Sequence, residues 1–531
     1  MESKLNAPNI TPAVSHPDIA GEADARLATW LWQPNLIVFI SSGCIMILEL
    51  VAGRIIAPYV GVSLYTWTSV IGVVLAGISL GNYLGGRLAD RWASLRFLGG
   101  IFLVAGLSSF GVLAVDRLGS VSLDQWSIVA EILMLTTALF FIPSLILGSI
   151  SPVVAKLAVR DLAKTGLTVG KIYAAGTAGS IVGTFVTGFV LVSWFGTHTI
   201  VWGVATVLLL MGLLFFLAGR WKWMLVAVLA LGGASVVVYQ QGWLQGPCLR
   251  ETNYFCIKVR EAERGGEPVR ILILDRLVHS YTSLDNPTKL VYGYEKMYAE
   301  VTAYRAERDD HLRTLFIGGG GYTFPRYIEA VYPGSDIHVI EIDPGVTEVA
   351  HDMLGLSADT SVVSFNQDAR IFLEQDPPQR YDMILGDAFN DFSVPFHLTT
   401  KEFNDRLRAW LSADGMYVVN MIDGARGDFL RAYTHTLRQT FDYVYLAPTT
   451  DIWRSASRTT FVLIASDTPL DTSAFSSITA GDGEALLANQ LFEQSDIDTL
   501  LAAGSVVLLT DQFAPVDQML APVIRGEEGL P

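Results

Sequence analysis

Long apolar segments dominate the first half of this chain. About seven of them fall between residues 35 and 239, and each is close to the roughly 20 residues that a helix needs to cross the hydrocarbon core of a bilayer. Apolar helices of this length are too long to be ordinary buried helices. The pattern therefore predicts a multi-span α-helical transmembrane domain. Its segments are residues 35–57, 67–86, 97–115, 126–149, 172–194, 199–217 and 223–239.

Composition agrees with this division of the chain. A length of 531 residues suggests more than one domain, and 51% apolar residues with only 17% charged residues are unusual for a soluble protein. The net charge of −16 argues against nucleic acid as a partner, and the sequence contains no basic arm. Residues 1–34 are polar and contain several prolines without a signal-peptide pattern, so we interpret them as a disordered tail.

A glycine-rich turn organises the second half of the chain. The apolar run Thr314–Ile317 predicts a buried strand, and the four glycines Gly318–Gly321 follow it directly. A helix-like segment comes next, and a second predicted strand at 337–342 has Glu341 as its second-last residue, with Asp343 directly after the strand. Strand, glycine turn, helix and strand ending in an acid are typical of the nucleotide-binding half of a doubly wound sheet. The glycines let the backbone approach the ligand, and the acid can accept hydrogen bonds from ribose hydroxyls.

The residues around the turn narrow the choice of nucleotide. A dinucleotide fingerprint needs a third glycine at position 323, where this chain has Thr323, and no Gly-Lys-Ser/Thr sequence follows as a P-loop requires. A tight strand-to-helix turn without a ligand is the alternative. The pattern favours an adenosyl group without a pyrophosphate, which means S-adenosylmethionine (SAM) or a derivative.

Six short motifs follow one another along residues 250–466. They are Glu251-Thr252-Asn253-Tyr254, Leu274-Asp275 with His279-Ser280, the turn Gly318–Gly321, Glu341-Ile342-Asp343-Pro344, Asp368-Ala369, and Asp387 within YDMILGDAF. In this order they resemble the spermidine/spermine synthase (polyamine aminopropyltransferase) family. Two further sequences, LTTKEF at 398–403 and TDQFAP at 510–515, resemble the subgroup of that family that is fused to a membrane domain.

The resemblance, together with the alternation of strands and helices from residue 314 onward, predicts the fold of the second half. We expect an α/β doubly wound (Rossmann-like, class I SAM-binding) domain at 311–470, preceded by a small β-region and a linking helix at 245–310. Residues 471–531 form a C-terminal extension to which no role is assigned. The predicted strands are 314–317, 337–342, 361–364, 381–386, 415–421, 440–446 and 459–465.

The resemblance also implies roles for individual residues. Asp387 corresponds to the catalytic aspartate, which orients or deprotonates the attacking amine, and Asp391, four residues on, is a second candidate acid. His279 stands where the family has a glutamine; it is a candidate for contact with a carboxylate, and a hydrogen-bonded histidine at a strand end is the alternative. Tyr294 and Glu295 stand where the family has a His-Glu pair and are expected to bind substrate. The expected cofactor-binding residues are Gly318, Gly319, Gly320, Gly321, Glu341, Asp343, Asp368 and Ala369, and no metal is expected.

Departures from the family pattern bear on the reaction. Beside the amine end of decarboxylated SAM the family has an aspartate in the glycine turn, where this chain has Gly321. Without that carboxylate, the site has room for the carboxylate of intact SAM. Our sequence-based hypothesis is therefore cleavage of the Cγ–S bond of SAM, which releases methylthioadenosine with homoserine lactone as co-product. The first alternative is aminopropyl transfer from decarboxylated SAM to a polyamine, and the second is a transporter-like membrane protein with an adenosyl-sensing domain.

The sequence leaves the side of the membrane open. Basic residues in three loops favour the cytoplasm for those loops, and seven spans then put the C-terminal half outside. Cys248 and Cys256 could pair only in an oxidising compartment, which agrees with that placement. SAM, however, is made in the cytoplasm, and the short segment 223–239 need not cross. The basic residues are Arg87, Arg91, Arg96, Lys156, Arg160, Lys164, Lys171, Arg220 and Lys222.

The expected location is a bacterial inner membrane. The lipid bilayer and a small-molecule substrate are the expected partners, with a polyamine as a candidate acceptor. The sequence does not decide the oligomeric state, so a homo-oligomer stays open.

Overall fold

The structure is a computed structural model that describes residues 33–119, 127–159, 161–218, 220–242, 244–388, 394–479 and 484–525. The predicted N-terminal tail lies almost wholly outside these ranges, and so do two residues singled out above, Arg160 and Asp391.

Seven long helices fill the first half of the described chain, and each is long and apolar enough to cross a membrane. All seven predicted segments are therefore helical, while their insertion into a bilayer stays a prediction. The π-helical stretch Thr187–Leu191 interrupts the fifth helix, and a turn at Ser149 interrupts the fourth. The helices are α1 (Pro34–Val60), α2 (Leu64–Trp92), α3 (Leu95–Ala114), α4 (Ile128–Ala158), α5 (Leu162–Trp194), α6 (Thr197–Phe216) and α7 (Lys222–Gln240).

Glycines let α1 and α5 pack backbone against backbone. A Cβ atom at Gly179 of α5 would lie 2.0 Å from the backbone oxygen of Phe39 in α1. A Cβ atom at Gly183, one turn later, would lie 2.7 Å from the backbone oxygen of Gly43. Larger residues would therefore separate the two helices, as expected for small-residue packing in a membrane.

The C-terminal part of the described chain, from residue 244 onward and called the soluble half below, contacts one end of the helical half, residues 34–240. Arg54, near the C-terminal end of α1, donates a hydrogen bond to the backbone oxygen of Asn253 at 2.9 Å. The backbone N–H of Thr197, at the start of α6, donates to Glu251 Oε2 at 2.9 Å. Because α7 ends at Gln240 and leads into this region, the C-terminal ends of α1 and α7 and the N-terminal end of α6 share one side.

The basic loops lie at the other end of the helices. Consecutive helices reverse direction across short loops, so the α2–α3, α4–α5 and α6–α7 loops face away from the soluble half. An ion pair of 2.8 Å between Lys156 of α4 and Asp90 of α2 joins two helix ends on that side. The basic residues of these three loops therefore lie at the end of the helical half that faces away from the soluble half.

The soluble half begins with a four-stranded antiparallel sheet in the order β1-β2-β3-β4, followed by a helix. A disulfide bond joins Cys248 to Cys256 beside its first strands. The small β-region and linking helix predicted from the sequence are thus present. The elements are β1 (Arg250–Glu251), β2 (Cys256–Arg264), β3 (Glu267–Leu274), β4 (Leu277–Thr282) and α8 (Gly293–Ala306).

A seven-stranded mixed sheet follows, in the order β10-β11-β9-β8-β5-β6-β7. The five strands from β7 to β9 are parallel, whereas β11 runs antiparallel to both of its neighbours. All seven predicted strands are present, which confirms the doubly wound α/β fold. The strands are β5 (Arg313–Ile317), β6 (Asp336–Ile340), β7 (Val363–Phe365), β8 (Tyr381–Gly386), β9 (Leu411–Asp423), β10 (Tyr443–Pro448) and β11 (Thr459–Ser466).

Helices cover both faces of this sheet. Successive residues of a strand point to opposite faces, so each face packs against its own layer of helices. Leu385 of β8 packs in one buried cluster with Tyr298 of α8, and its neighbour Ile384 packs in another with Phe403. The carboxyl ends of β5, β6 and β8 consequently meet at one edge. The remaining helices are α9 (Thr323–Val331), α10 (Pro344–Met353), α11 (Ala369–Phe372), α12 (Lys401–Trp410), α13 (Asp428–Leu437), α14 (Leu486–Gln490), α15 (Gln494–Ala502), α16 (Val516–Met519) and α17 (Ala521–Arg525).

Candidate active site

The glycine turn packs closely between the end of β5 and the end of β8. Gly318 has a φ of 97°, and a Cβ atom there would lie 2.1 Å from the backbone oxygen of Asp387. The backbone N–H of Asp387 donates to the backbone oxygen of Ile317 at 2.8 Å. Any larger residue at Gly318 would therefore be strained and would also push Asp387 away.

Glu341 organises the same turn from the end of β6. Its carboxylate accepts hydrogen bonds from the backbone N–H groups of Gly319 at 2.8 Å, Gly320 at 3.3 Å and Asp343 at 2.9 Å. Burial raises the pKa of Glu341, and these backbone hydrogen bonds oppose that rise. Glu341, which is predicted to bind the ribose, thus also stabilises the glycine turn.

A cavity of about 190 Å³ opens where these strands end, and we call it the first chamber. Asp368 contributes to its wall and also caps α11, where it accepts hydrogen bonds from the backbone N–H groups of Arg370 at 2.8 Å and Ile371 at 3.1 Å. Its other oxygen lies 3.4 Å from His397 Nε2. The first chamber is lined by Gly318, Gly320, Glu341, Asp368, Ala369, His279 and Asp387, among others.

Three of the predicted cofactor-binding residues, Gly319, Gly321 and Asp343, do not line the first chamber, and Gly319 borders the same narrow gap as Gly321. Asp343 is fully buried and caps α10, where it accepts from the backbone N–H of Gly345 at 2.9 Å and from the Thr252 hydroxyl at 2.6 Å. Gly321 borders a narrow gap beside the chamber, and a Cβ atom there would lie 1.9 Å from Ser280 Oγ. The hydroxyl of Ser280 therefore occupies the space that a side chain at position 321 would need.

Asp387 is held by two side-chain donors. Tyr294 donates its hydroxyl to Oδ2 at 3.0 Å, and Asn420 donates from Nδ2 to Oδ1 at 2.9 Å. Burial raises the pKa of Asp387 to about 6, against the opposing effect of these two hydrogen bonds. A carboxylate that is fixed in place, ionised at neutral pH and weakly basic is suited to accept a proton from a substrate.

Glu295 lies nearby as a second buried acid. It accepts a hydrogen bond from the backbone N–H of Tyr292 at 3.3 Å and so caps α8. Burial, and then the charge of Asp387, raise the pKa of Glu295 to about 8. At neutral pH, Glu295 is therefore mostly protonated, and the two acids carry about one negative charge between them.

A larger cavity of about 580 Å³, the second chamber, lies on the other side of Asp387 and His279, which line both chambers. Burial, and then the positive charge of Arg458, lower the pKa of His279 to about 4, so this imidazole is neutral at physiological pH. A neutral His279 offers one donor and one acceptor at the boundary. The second chamber is lined by Arg276, His279, Tyr292, Tyr294, Asp387, Asn420, Thr449, Arg458 and Thr459, among others.

Comparison with known proteins finds relatives that share parts of this chain. No family model matches the chain. A stretch of 152 residues is 30% identical to a probable polyamine aminopropyl transferase of Bifidobacterium longum, covering 28% of this chain and 33% of that protein. Another alignment, of 110 residues, is 36% identical to a polyamine aminopropyltransferase of Vibrio vulnificus, covering 20% and 37%. Over 413 residues the chain is 25% identical to polyamine aminopropyltransferase 2 of Streptomyces coelicolor, covering 72% of each.

The chain is thus similar to polyamine aminopropyltransferases over parts of its length. It spans about a third of the length of the Bifidobacterium and Vibrio relatives and 72% of the Streptomyces relative. Among solved structures, a probable spermidine synthase from Corynebacterium glutamicum aligns with a TM-score of 0.43 and 22% identity, over 48% of this chain and 92% of that one.

Several residues of this site were not predicted from the sequence. Asn420 carried a signal, since it interrupts the apolar strand sequence MYVVNMI. Arg276 and Arg458 carried none, because each lies in a loop where charged residues are ordinary. Tyr298 donates its hydroxyl to the backbone oxygen of Gly386 at 2.9 Å, which supports the strand end before Asp387.

The two motifs that resemble the membrane-fused subgroup contact each other beside Asp368. Asp511 of TDQFAP accepts from the hydroxyl of Thr400 in LTTKEF at 2.8 Å and forms an ion pair with Arg370. Arg370 also donates to the backbone oxygen of His397 at 2.7 Å. The C-terminal extension thus braces α11, the helix that Asp368 caps.

Proposed function

We propose that this chain is a membrane-bound enzyme of the aminopropyl-transfer type, which uses decarboxylated SAM to alkylate an amine and releases methylthioadenosine. The observation that carries the proposal is the position of Asp387, which is held by Tyr294 and Asn420 at the boundary of two chambers. Polyamines are the acceptors named in its relatives.

The first chamber binds the adenosyl group in this proposal. Glu341 accepts hydrogen bonds from the ribose hydroxyls, and Asp368 with Ala369 contacts the adenine. The sulfonium then lies near the boundary, with its γ-carbon toward Asp387. This arrangement uses the family positions that the first chamber retains.

The chemistry requires mainly positioning, because a sulfonium is already activated as a leaving group. The lone pair of the acceptor amine forms the new N–C bond at the γ-carbon, and the electrons of the C–S bond pass to sulfur, which leaves as neutral methylthioadenosine. The proton lost by the amine passes to Asp387. Asn420 Oδ1 is buried and has no hydrogen-bond partner in the described structure, so it can accept a second N–H of the amine.

Cleavage of intact SAM is the second candidate, and one observation favours it. Ser280 of β4 fills the space beside Gly321, so a hydroxyl lies where the family has a carboxylate. A hydroxyl can donate to the carboxylate of SAM, whereas an aspartate would repel it. The relatives support transfer better than cleavage, and we therefore rank cleavage second.

One assay separates these reactions. Full-length protein in lipid nanodiscs is incubated with decarboxylated SAM and an amine, with decarboxylated SAM alone, or with intact SAM alone, and methylthioadenosine is quantified by mass spectrometry. Transfer predicts methylthioadenosine only when decarboxylated SAM and an amine are both present. Release from intact SAM alone would replace the proposal with cleavage, and adenosyl binding without turnover in any arm would favour the sensing alternative.

We further propose that α1–α7 are embedded in the membrane and that the soluble half lies opposite the basic loops, outside the cytoplasm. Three features support this placement: the basic loops at the far end, the odd number of long helices in the described chain, and the disulfide between Cys248 and Cys256. The 413 residues aligned with the Streptomyces relative outnumber those from 245 to the C-terminus, so that alignment enters the helical half. This placement requires the adenosyl substrate to reach the outer face.

Cysteine labelling tests the placement. A membrane-impermeant maleimide applied to spheroplasts should modify Gly242→Cys, beside the end of α7. It should modify Ser94→Cys, in the α2–α3 loop, only after permeabilisation. The reverse pattern would put the soluble half in the cytoplasm. Extraction by carbonate alone would contradict membrane embedding.

A further inference from the structure

Two guanidinium groups line the second chamber. Arg276 lies in the turn between β3 and β4, and Arg458 lies just before β11. Both residues are exposed, and both line the chamber. Two segments far apart in sequence therefore bring positive charge to one cavity beside the reaction centre.

Negative charge in this chamber is confined to its boundary. Asp387 is the single Asp or Glu among the described residues that line the second chamber. Glu295 borders the small gap near Gly321 instead, and burial raises its pKa to about 8. A diamine in this chamber would place one amine at Asp387 and its second, cationic end among guanidinium groups, where like charges repel.

The two kinds of charge act on different parts of the chamber. Burial lowers the pKa of His279 and raises the pKa of Tyr292, and the positive charge of Arg458 acts downward on both, whereas the hydrogen bonds that oppose the raised pKa of Asp387 come from Tyr294 and Asn420. The chamber thus has an acidic end suited to an amine and a basic region suited to an anion.

Buried polar atoms without partners point to a ligand as well. Thr459, next to Arg458, is 4% exposed, and its hydroxyl has no hydrogen-bond partner in the described structure. Asn420 is 7% exposed, and its Oδ1 likewise has none. A hydroxyl can donate to a carboxylate, and an amide oxygen can accept from an amine. The Thr459 hydroxyl therefore suits a carboxylate of the ligand, and Asn420 Oδ1 suits an amine.

We propose that the second chamber recognises a carboxylate, carried on the same molecule as an amine. This inference rests on the proposed transfer reaction and narrows its acceptor to the amino-carboxylate class instead of a polyamine. The amine attacks the γ-carbon and gives its proton to Asp387, while the carboxylate is bound by Arg276 and Arg458 and is unchanged by the reaction. The amino-carboxylate end of intact SAM is the other source of the same chemistry.

A matched pair of acceptors tests the inference on full-length protein in nanodiscs. Putrescine and 5-aminopentanoate share a spacer of four methylene groups and differ at one end, ammonium against carboxylate. With decarboxylated SAM, we expect kcat/KM for 5-aminopentanoate to exceed that for putrescine by about tenfold or more, the scale of one charge-assisted interaction. A preference for putrescine would overturn the inference.

Arginine variants locate the recognition. Arg458→Gln and Arg276→Gln should each lower kcat/KM for 5-aminopentanoate by about tenfold and leave putrescine unchanged or improved. Arg458→Lys should restore part of the loss. Arg260→Gln, an exposed arginine on β2 outside the chamber, is the matched control and should behave as wild type. Equal losses for both acceptors would overturn the inference.

Two further arms separate this inference from the proposed function. Methylthioadenosine formed from intact SAM alone, and reduced by the same arginine variants, would assign the carboxylate to the donor and support the inference. If no methylthioadenosine forms in any arm, the proposed function fails, and calorimetry then decides the inference alone. Binding of 5-aminopentanoate to protein loaded with methylthioadenosine, lost in Arg458→Gln, would support it, and indifference between the two acceptors would overturn it.

Discussion

The two chambers that meet at Asp387 differ in how they are built. The first is formed by strand ends and a glycine turn, with Glu341 held by three backbone N–H groups. The second is walled by side chains from the β3–β4 turn, from β9 and from the loop before β11. A chamber made of backbone tolerates little change without losing the turn, whereas one made of loop side chains can change its ligand by substitution. The motifs that resemble the family accordingly fall in the first chamber, whereas Arg276, Asn420 and Arg458 of the second chamber belong to none of them.

The largest expected effect lies at the boundary itself. Asp387→Asn preserves the shape of the side chain and removes the charge, so turnover should fall by about 100-fold or more, the scale of a lost acid–base group. Binding of methylthioadenosine in the first chamber should persist. Calorimetry and steady-state kinetics on one preparation measure both quantities, with Asp285→Asn, an exposed residue, as control. Normal turnover in Asp387→Asn would refute both reactions considered above.

The second prediction concerns the first chamber alone. Glu341→Ala removes an acceptor for the ribose and a support of the glycine turn, so adenosyl binding should weaken by about 1–3 kcal/mol, which is about 5- to 150-fold. Calorimetric titration with methylthioadenosine measures the loss, and thermal unfolding of the same variant shows whether the fold persists. An unchanged affinity would remove Glu341 from the binding site.

The third prediction is a pH dependence centred on the boundary. Asp387 must be ionised to accept the amine proton, and burial raises its pKa to about 6. Below that pH the carboxyl is protonated, so kcat/KM should fall by about tenfold for each pH unit, and above it the activity should level off. A pH profile measured with a saturating amount of acceptor checks this limb. If the residual activity of Asp387→Asn fell in the same way at low pH, a group other than Asp387 would be responsible for the fall.

The smallest expected effect tests the brace behind the first chamber. Asp511→Asn weakens the contacts to Arg370 and Thr400. Arg370 lies two residues after Asp368, the cap of α11. A net loss of about 0.5–1.5 kcal/mol would raise the KM for the adenosyl substrate by about 2- to 10-fold with kcat unchanged. Asp496→Asn on α15 is the control. A fall in kcat with constant KM would show that the brace acts on the second chamber instead.

Much of the fold could be predicted because its signals are local. Seven apolar segments, the glycine turn and the alternation of strands and helices each occupy consecutive residues, and each appears in the structure at nearly the expected position. The predicted strand at 337–342 ends instead at Ile340, which places Glu341 in the loop, where its carboxylate can turn back toward Gly319. Asp343 was expected in the cofactor site and instead caps α10, a role that a short acid before a proline commonly plays.

The motif order was enough to indicate an adenosyl site that resembles the site of the spermidine synthase family, since those residues follow successive strands whose ends must meet. The second chamber was decided by tertiary structure alone. Arg276, Asn420 and Arg458 lie in three segments without a shared motif, and they come together because β9 pairs with β11 while the β3–β4 turn lies against the same edge. Local periodicity depends on neighbours in sequence, whereas the charge of a cavity depends on which distant loops the sheet brings together.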